Sequence, residues 1–182
     1  MLDYKINEDI SLKLKDYQDS NELFKLIESS REHLKEWMVW VDSVQTEEDV
    51  VKSIHKNLIE FAEQKGIHFL ILYKGAIAGT IGLKYIDWSI KSAEIGYWLG
   101  KDYLGKGIMI EACRAVMKYG FQQLKLNKIE IWAAEDNQKS RQIPVKLGFT
   151  YEGMRRADEI LNGKYVDICI YGMLAKEWAQ LK

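Results

Sequence analysis

Ile10, Leu12 and Leu14 alternate with Ser11, Lys13 and Lys15, the period of a strand with one buried face. From Ser20 to Val41 the apolar positions change to a helical period, and Ser29–Ser30 predicts a break between two short helices. Thr46 followed by Asp49 reads as a capping box with an acid in the usual Glu/Gln place. Val50, Ile54, Leu58 and Phe61 then trace one helical face, which Gly66 is expected to close. Strands are predicted over Ile67–Tyr73 and Ala76–Asp87, joined at Lys74–Gly75, and again over Ala93–Leu99. Ile108, Ala112, Val116 and Tyr119 mark the next helix. Lys128–Ala134 alternates once more, and a short helix runs from about Gln138 to Leu147. Phe149–Leu161 and Lys164–Leu174 flank Asn162–Gly163, the signal of a type I′ hairpin. A right-handed crossover from Ala93–Leu99 to Lys128–Ala134 makes that pair parallel inside an otherwise antiparallel sheet. The order is α+β, not the strict alternation of a doubly wound sheet.

Length changes this picture little: 182 residues suit a single domain over 1–182 with a sizeable core. A formal net charge of −1 gives no general argument for binding nucleic acid or an anionic membrane. No apolar run approaches the roughly 20 residues of a membrane span, and Met1–Asn7 lacks the layout of a signal peptide. Cys113 and Cys169 stand apart, outside any CxxC, so a reduced cytoplasmic setting is expected. His33, His55 and His68 lack paired-ligand spacing, and no metal site is expected.

The candidate chemistry lies in GKDYLGKGIM, Gly100 to Met109. Its start fits a nucleotide P-loop until the final Ser or Thr, where Gly107 removes the hydroxyl that would ligate magnesium. A dinucleotide fingerprint fails at Ile110, which stands in place of the third glycine. What remains is a tighter loop whose amides, Leu104 to Met109, converge on an anion at a helix N-terminus. The loop alone leaves open whether its glycines serve an anion or only the turn.

EIGYWLGKDYLGKGIMIEACRAVMKYGF followed by NKIEIWAAEDNQKSRQIPVKLGFTYEG resembles the GNAT N-acetyltransferases, and most closely their RimJ/RimL branch, which acetylates N-termini of ribosomal proteins. The resemblance covers most of the chain. It implies a mostly antiparallel mixed sheet with a splayed central parallel pair and helices on both faces. It also implies acetyl-CoA as co-substrate, its pantetheine arm beside Trp98, Leu99 and Gly100 and its pyrophosphate over Leu104, Gly105, Lys106, Gly107, Ile108 and Met109. Asn137 would reach the pantetheine or thioester. Lys101, Lys106 and Arg141 are candidates for the outer phosphates. The acceptor would be the N-terminal serine of a ribosomal protein, or else a small amine such as a polyamine, an antibiotic or an amino acid. An acyl-CoA-binding module without catalysis is the other alternative. A homodimer is expected from the resemblance only.

Two positions depart from the family pattern. Asp102 stands where the acyl-CoA motif usually begins with Gln or Arg, and is expected to point to solvent. Pro144 replaces the tyrosine that protonates the departing thiolate in many relatives. Ser140, one turn earlier on the same face, then becomes the candidate acid, in agreement with the serine of the RimL-like pattern. Glu159 is the candidate base, with Asp158 as its rival; strand alternation disfavours both facing the site. The plainer alternative for Glu159 is an exposed acid paired with Arg155 or Arg156. Trp37 and Trp40 either wall the acceptor groove or fill the core. Cys113 falls on an apolar helix face, which disfavours a nucleophilic role.

Overall fold

The computed structural model describes residues 3–181, so Met1, Leu2 and Lys182 of the expected 1–182 domain lie outside it. Eight strands form one sheet in the order β1-β2-β3-β4-β5-β6-β8-β7: β1 is Asp3–Lys5, β2 Ile10–Leu14, β3 Ile67–Tyr73, β4 Ala76–Asp87, β5 Ser92–Leu99, β6 Lys128–Ala134, β7 Thr150–Leu161 and β8 Lys164–Leu174. The β5–β6 pair is parallel and every other neighbouring pair antiparallel. The expected mixed sheet is therefore present, because the α3 crossover (Ile108–Lys118) returns the chain in the same direction.

Each face of the sheet is covered by helix. On one, Ile81, Ile95, Ile129 and Ile131 pack with Ile108, Ala112, Cys113 and Val116 of α3. On the other, Leu70 and Ile77 meet Leu23 and Ile27 of α1 (Ser20–Lys35) and Val50 and Ile54 of α2 (Glu47–Ala62). The inward positions of these helices recur at helical spacing, which is why burial of their apolar stripes selects these two faces. The Thr46–Asp49 capping box forms at the start of α2, with the Thr46 Oγ1 accepting from the Asp49 amide at 3.3 Å and Asp49 accepting from the Thr46 amide at 3.0 Å. Asn162 and Gly163 both take positive φ, 51° and 75°, as a type I′ turn requires.

Several local expectations are corrected. α1 runs unbroken through Ser29–Ser30. The Ser29 hydroxyl donates to the Leu26 carbonyl at 3.0 Å, and the buried Ser30 hydroxyl accepts from the Lys101 amide at 3.1 Å. Both hydroxyls are satisfied without disturbing the helical ladder, so serine does not act as a breaker here. Trp37 and Trp40 consequently lie beyond the helix, in the turns that follow it. The left-handed residue after α2 is Gln64, not Gly66. β1 and the last helix, α5 (Ala175–Gln180), are too short to carry a readable period, and both escape the sequence pattern.

Candidate active site

β5 and β6 are hydrogen-bonded only at Ser92–Lys128, Ala93–Ile129 and Glu94–Glu130. Beyond Glu94 each strand keeps its outer neighbour, β5 holding β4 as far as Leu99 and β6 holding β8 as far as Ala134. The two facing edges thus diverge and leave main-chain groups without a strand partner, where a ligand can take its place. Clefts of about 340, 440 and 200 Å³ meet around this gap, and Trp37, Met38 and Tyr97 border all three.

One side of the gap is built from main chain. Gly105 and Gly107 both hold φ at 73°, a conformation that costs other residues about 1–2 kcal/mol. A Cβ at either would meet nothing within 4 Å, so backbone conformation and not crowding demands glycine, and open space lies over the loop. α3 starts at Ile108 with no side-chain cap, so its first amides are free for an anion and its dipole favours one. Ile108 itself is buried in the core and can offer only its amide, whereas Leu104 and Met109 line the 340 Å³ cleft together with Trp98 and Leu99. Lys106 Nζ stands over the rings of Tyr73 and Tyr103, at 5.5 and 5.6 Å. Asp102 is exposed. The Gly100 amide is committed to the Ala78 carbonyl at 2.8 Å, so Trp98 and Leu99 are the residues of this stretch that reach the cleft. An open, left-handed loop at an uncapped helix start beside an unpaired strand edge fits a diphosphate carrying an extended arm.

The other side is built from side chains. α4 (Gln138–Lys146) starts at Asn137, whose Oδ1 accepts from the Ser140 amide at 3.0 Å. This cap leaves the Asn137 amide NH₂ to a ligand, and Asn137 and Ser140 both line the cleft. Asn137 and Ser140 also line the 200 Å³ cavity, which Glu159 reaches from β7. Simple alternation does not decide between it and Asp158. A bulge between Arg155 and Glu159, with Ala157 at φ 52°, re-aims the strand, and Asp158 turns to Arg155 at 3.4 Å. Arg155 in turn stacks on Trp132, 4.2 Å from the ring.

Trp37 borders the gap on both sides, while Trp40 walls the 440 Å³ cleft and packs on Trp98 at 5.7 Å. They are therefore wall and packing at once. Arg141, by contrast, is tied away from the clefts: its Nε donates to the Tyr171 hydroxyl at 3.0 Å and its Nη1 to the Glu135 carbonyl at 2.9 Å. Cys113 is fully buried, and burial pushes its thiol up, away from the thiolate a nucleophile needs. Among the described residues no group of His, Cys, Asp and Glu is arranged to hold a metal ion, and no helix is long and apolar enough to cross a membrane.

Sequence reasoning missed three side chains here. Glu94 is only 6% exposed; its Oε1 pairs with Lys84 Nζ at 2.8 Å and its Oε2 has no partner among the described residues. Burial pushes its carboxyl up, Lys84 opposes this, and Glu130 and Glu159 push it further up. Gly96 makes room for that pair, since a Cβ there would come within 2.7 Å of Lys84 Cε. A charge flanked by Ala93 and Ile95 in an otherwise apolar strand was the available signal. Tyr97 gave no such signal: its hydroxyl lies 3.1 Å from Ser140 Oγ, a meeting across 43 residues of chain.

A GNAT acetyltransferase domain model matches residues 12–150. The putative ribosomal N-acetyltransferase YdaF of Bacillus subtilis is 35% identical over 179 residues, 98% of each chain. The ribosomal-protein-serine acetyltransferase of Escherichia coli is 29% identical over 170 residues, 93% of this chain and 95% of that one. RimL, a ribosomal L7/L12 alpha-N-protein acetyltransferase solved in complex with coenzyme A, superposes with a TM-score of 0.93 at 25% identity, covering 96% of this chain and 99% of that one. The chain belongs to the GNAT acetyltransferases, in the RimJ/RimL-type branch, as an enzyme that moves acetyl from acetyl-CoA to an amine.

Proposed function

We propose that the acceptor is the α-amino group of a ribosomal protein with an N-terminal serine, with Glu159 as a water-relayed base and Ser140 as the acid. The observation that supports this reading is the 200 Å³ cavity whose lining includes Ser140, Asn137 and Glu159. An α-amino group has a pKa near ~7.7–8 against ~10.4 for lysine, so much of it is already neutral and a modest carboxylate suffices as base. Acetyl-CoA supplies the activated thioester. Leu104, Gly105, Lys106, Gly107, Ile108 and Met109 hold its diphosphate, Trp98 and Leu99 its arm, and amides bordering the gap stabilise the oxygen that gains charge as the amine attacks. Glu159 removes the proton from the amine through water, and Ser140 Oγ gives one to the departing sulfur. The names of the relatives support a ribosomal acceptor.

The test is incubation with labelled acetyl-CoA and a ribosomal extract with spermidine added, followed by mass spectrometry. Label on a protein N-terminal serine is expected; label confined to spermidine overturns the acceptor. Ser140→Ala and Glu159→Gln are expected to lower kcat by about 10²–10⁴-fold with acetyl-CoA affinity nearly unchanged. Wild-type turnover in either would remove that residue's role.

A further inference from the structure

Pro144 sits inside α4 and has no amide hydrogen, so the carbonyl of Ser140 loses the partner that an ordinary helix would supply. That carbonyl is not left bare. The hydroxyl of Tyr97 donates to it at 3.3 Å, and the same phenol oxygen lies 3.1 Å from Ser140 Oγ. A tyrosine has one hydroxyl proton and can serve one of these two acceptors at a time. With the proton on the carbonyl, the serine hydroxyl can donate to the phenol oxygen. With the serine proton turned into the cleft, the phenol proton can point at Ser140 Oγ. The heavy atoms need not move between the two arrangements.

We propose that Tyr97 is a positioning residue for acetyl transfer: its hydroxyl holds Ser140 Oγ in place and turns to that oxygen as it gives up its proton. This rests on Ser140 being the acid. The C–N bond forms, the C–S bond breaks, and sulfur takes the proton of Ser140 Oγ. The amine proton passes through water to Glu159. Serine then recovers a proton from solvent and Glu159 releases one, so the net change is one proton moved from nitrogen to sulfur. Tyr97 itself transfers nothing. Burial pushes its phenol far above the ordinary value, which keeps it a hydrogen-bond donor throughout. A serine oxygen is a poor proton donor because the charge left behind is unstable, and a donor pre-aimed from a rigid strand lowers that cost. The proline that breaks the family pattern thereby acquires a function: it frees the carbonyl on which the Tyr97 proton waits.

The test compares Tyr97→Phe, Ser140→Ala and the double variant, following thiol release from acetyl-CoA with whichever of a Ser-initiated peptide or spermidine is turned over faster. Tyr97→Phe is expected to lower kcat about 10- to 150-fold, with KM for both substrates within about twofold, and to add nothing once Ser140 is alanine. Slow Ser140→Ala beside wild-type Tyr97→Phe overturns this inference and leaves the acid in place. Wild-type Ser140→Ala overturns both. Pro144→Ala restores the helical amide to the Ser140 carbonyl. If it rescues Tyr97→Phe, the tyrosine merely satisfied that carbonyl and the inference fails; persistence of the low kcat upholds it.

Discussion

The two sides of the splayed gap are made of different material. The side proposed for the coenzyme is a strand edge, a loop and the start of α3, contributed by one continuous stretch from Trp98 to Met109 and offering mainly main-chain groups. The side proposed for the acceptor is assembled from side chains on β4, β5 and β7, on the turn after α1 and just past the end of β2: Lys84, Glu94, Glu159, Trp37 and Lys15. Backbone geometry tolerates almost any side chain that leaves φ and the open space alone. Four charges and a tryptophan brought from five places do not, because a buried charge such as Glu94 depends on the partner beside it. The coenzyme can therefore stay the same while the acceptor changes, and a likeness of fold carries the first much further than the second.

Gly107→Trp tests the main-chain side most severely. It combines a left-handed φ with a bulky group in the open cradle, and acetyl-CoA affinity measured by calorimetry is expected to fall at least about 100-fold, since the strain alone approaches tenfold. Retained affinity would mean that side chains, not amides, hold the diphosphate.

Next in size is the Lys84–Glu94 pair. Lys84→Met leaves the buried Glu94 without its cation and is expected to destabilise the protein by about 3–5 kcal/mol at neutral pH, with Glu94→Leu recovering much of the loss. The pH dependence has a definite sign. A carboxyl whose folded pKa lies above its unfolded value holds its proton longer in the fold, so stability falls as pH rises between the two values. The deficit of Lys84→Met should therefore shrink as the pH is lowered, which denaturant titrations at two pH values would read. A deficit independent of pH would show that packing, not charge, was lost.

The smallest effect is expected at Lys15, which reaches the 440 Å³ cleft with its Nζ 2.9 Å from Asn57 Oδ1 and with Glu60 and His68 close by. Burial lowers it to about 8, against the attraction of Glu60. The unfolded chain keeps its proton up to ~10.4, so wild-type stability rises with pH between those values. Lys15→Met is expected to melt a few degrees higher at pH 7, an advantage that fades as the pH approaches ~10.4. A constant difference would remove the charge from the explanation.

Much of the fold was legible because its signals are local. The strand alternation in Lys128–Ala134, the capping box at Thr46 and the turn at Asn162–Gly163 each depend on neighbours a few residues away. The same holds for Gly105 and Gly107, whose spacing and positive φ belong to one loop. The errors fall where a distant partner intervened. Ser30 sits within an unbroken helix while its hydroxyl meets the Lys101 amide, and Trp37 and Trp40 therefore fall in the turns beyond that helix. Arg141, a candidate for the outer phosphates from the resemblance, bonds through its guanidinium to the Tyr171 hydroxyl and the Glu135 carbonyl, a setting the sequence does not show.

By itself the sequence determined the element order, the parallel crossover and the left-handed glycine loop, all of which follow from periodicity and from backbone conformations open chiefly to glycine. Only the tertiary structure decided how Tyr97 meets Ser140 and how Glu94 comes to be buried beside Lys84. Those are contacts between residues far apart in the chain, and hydrogen bonds and charge interactions act through a few ångströms of space, not along the backbone.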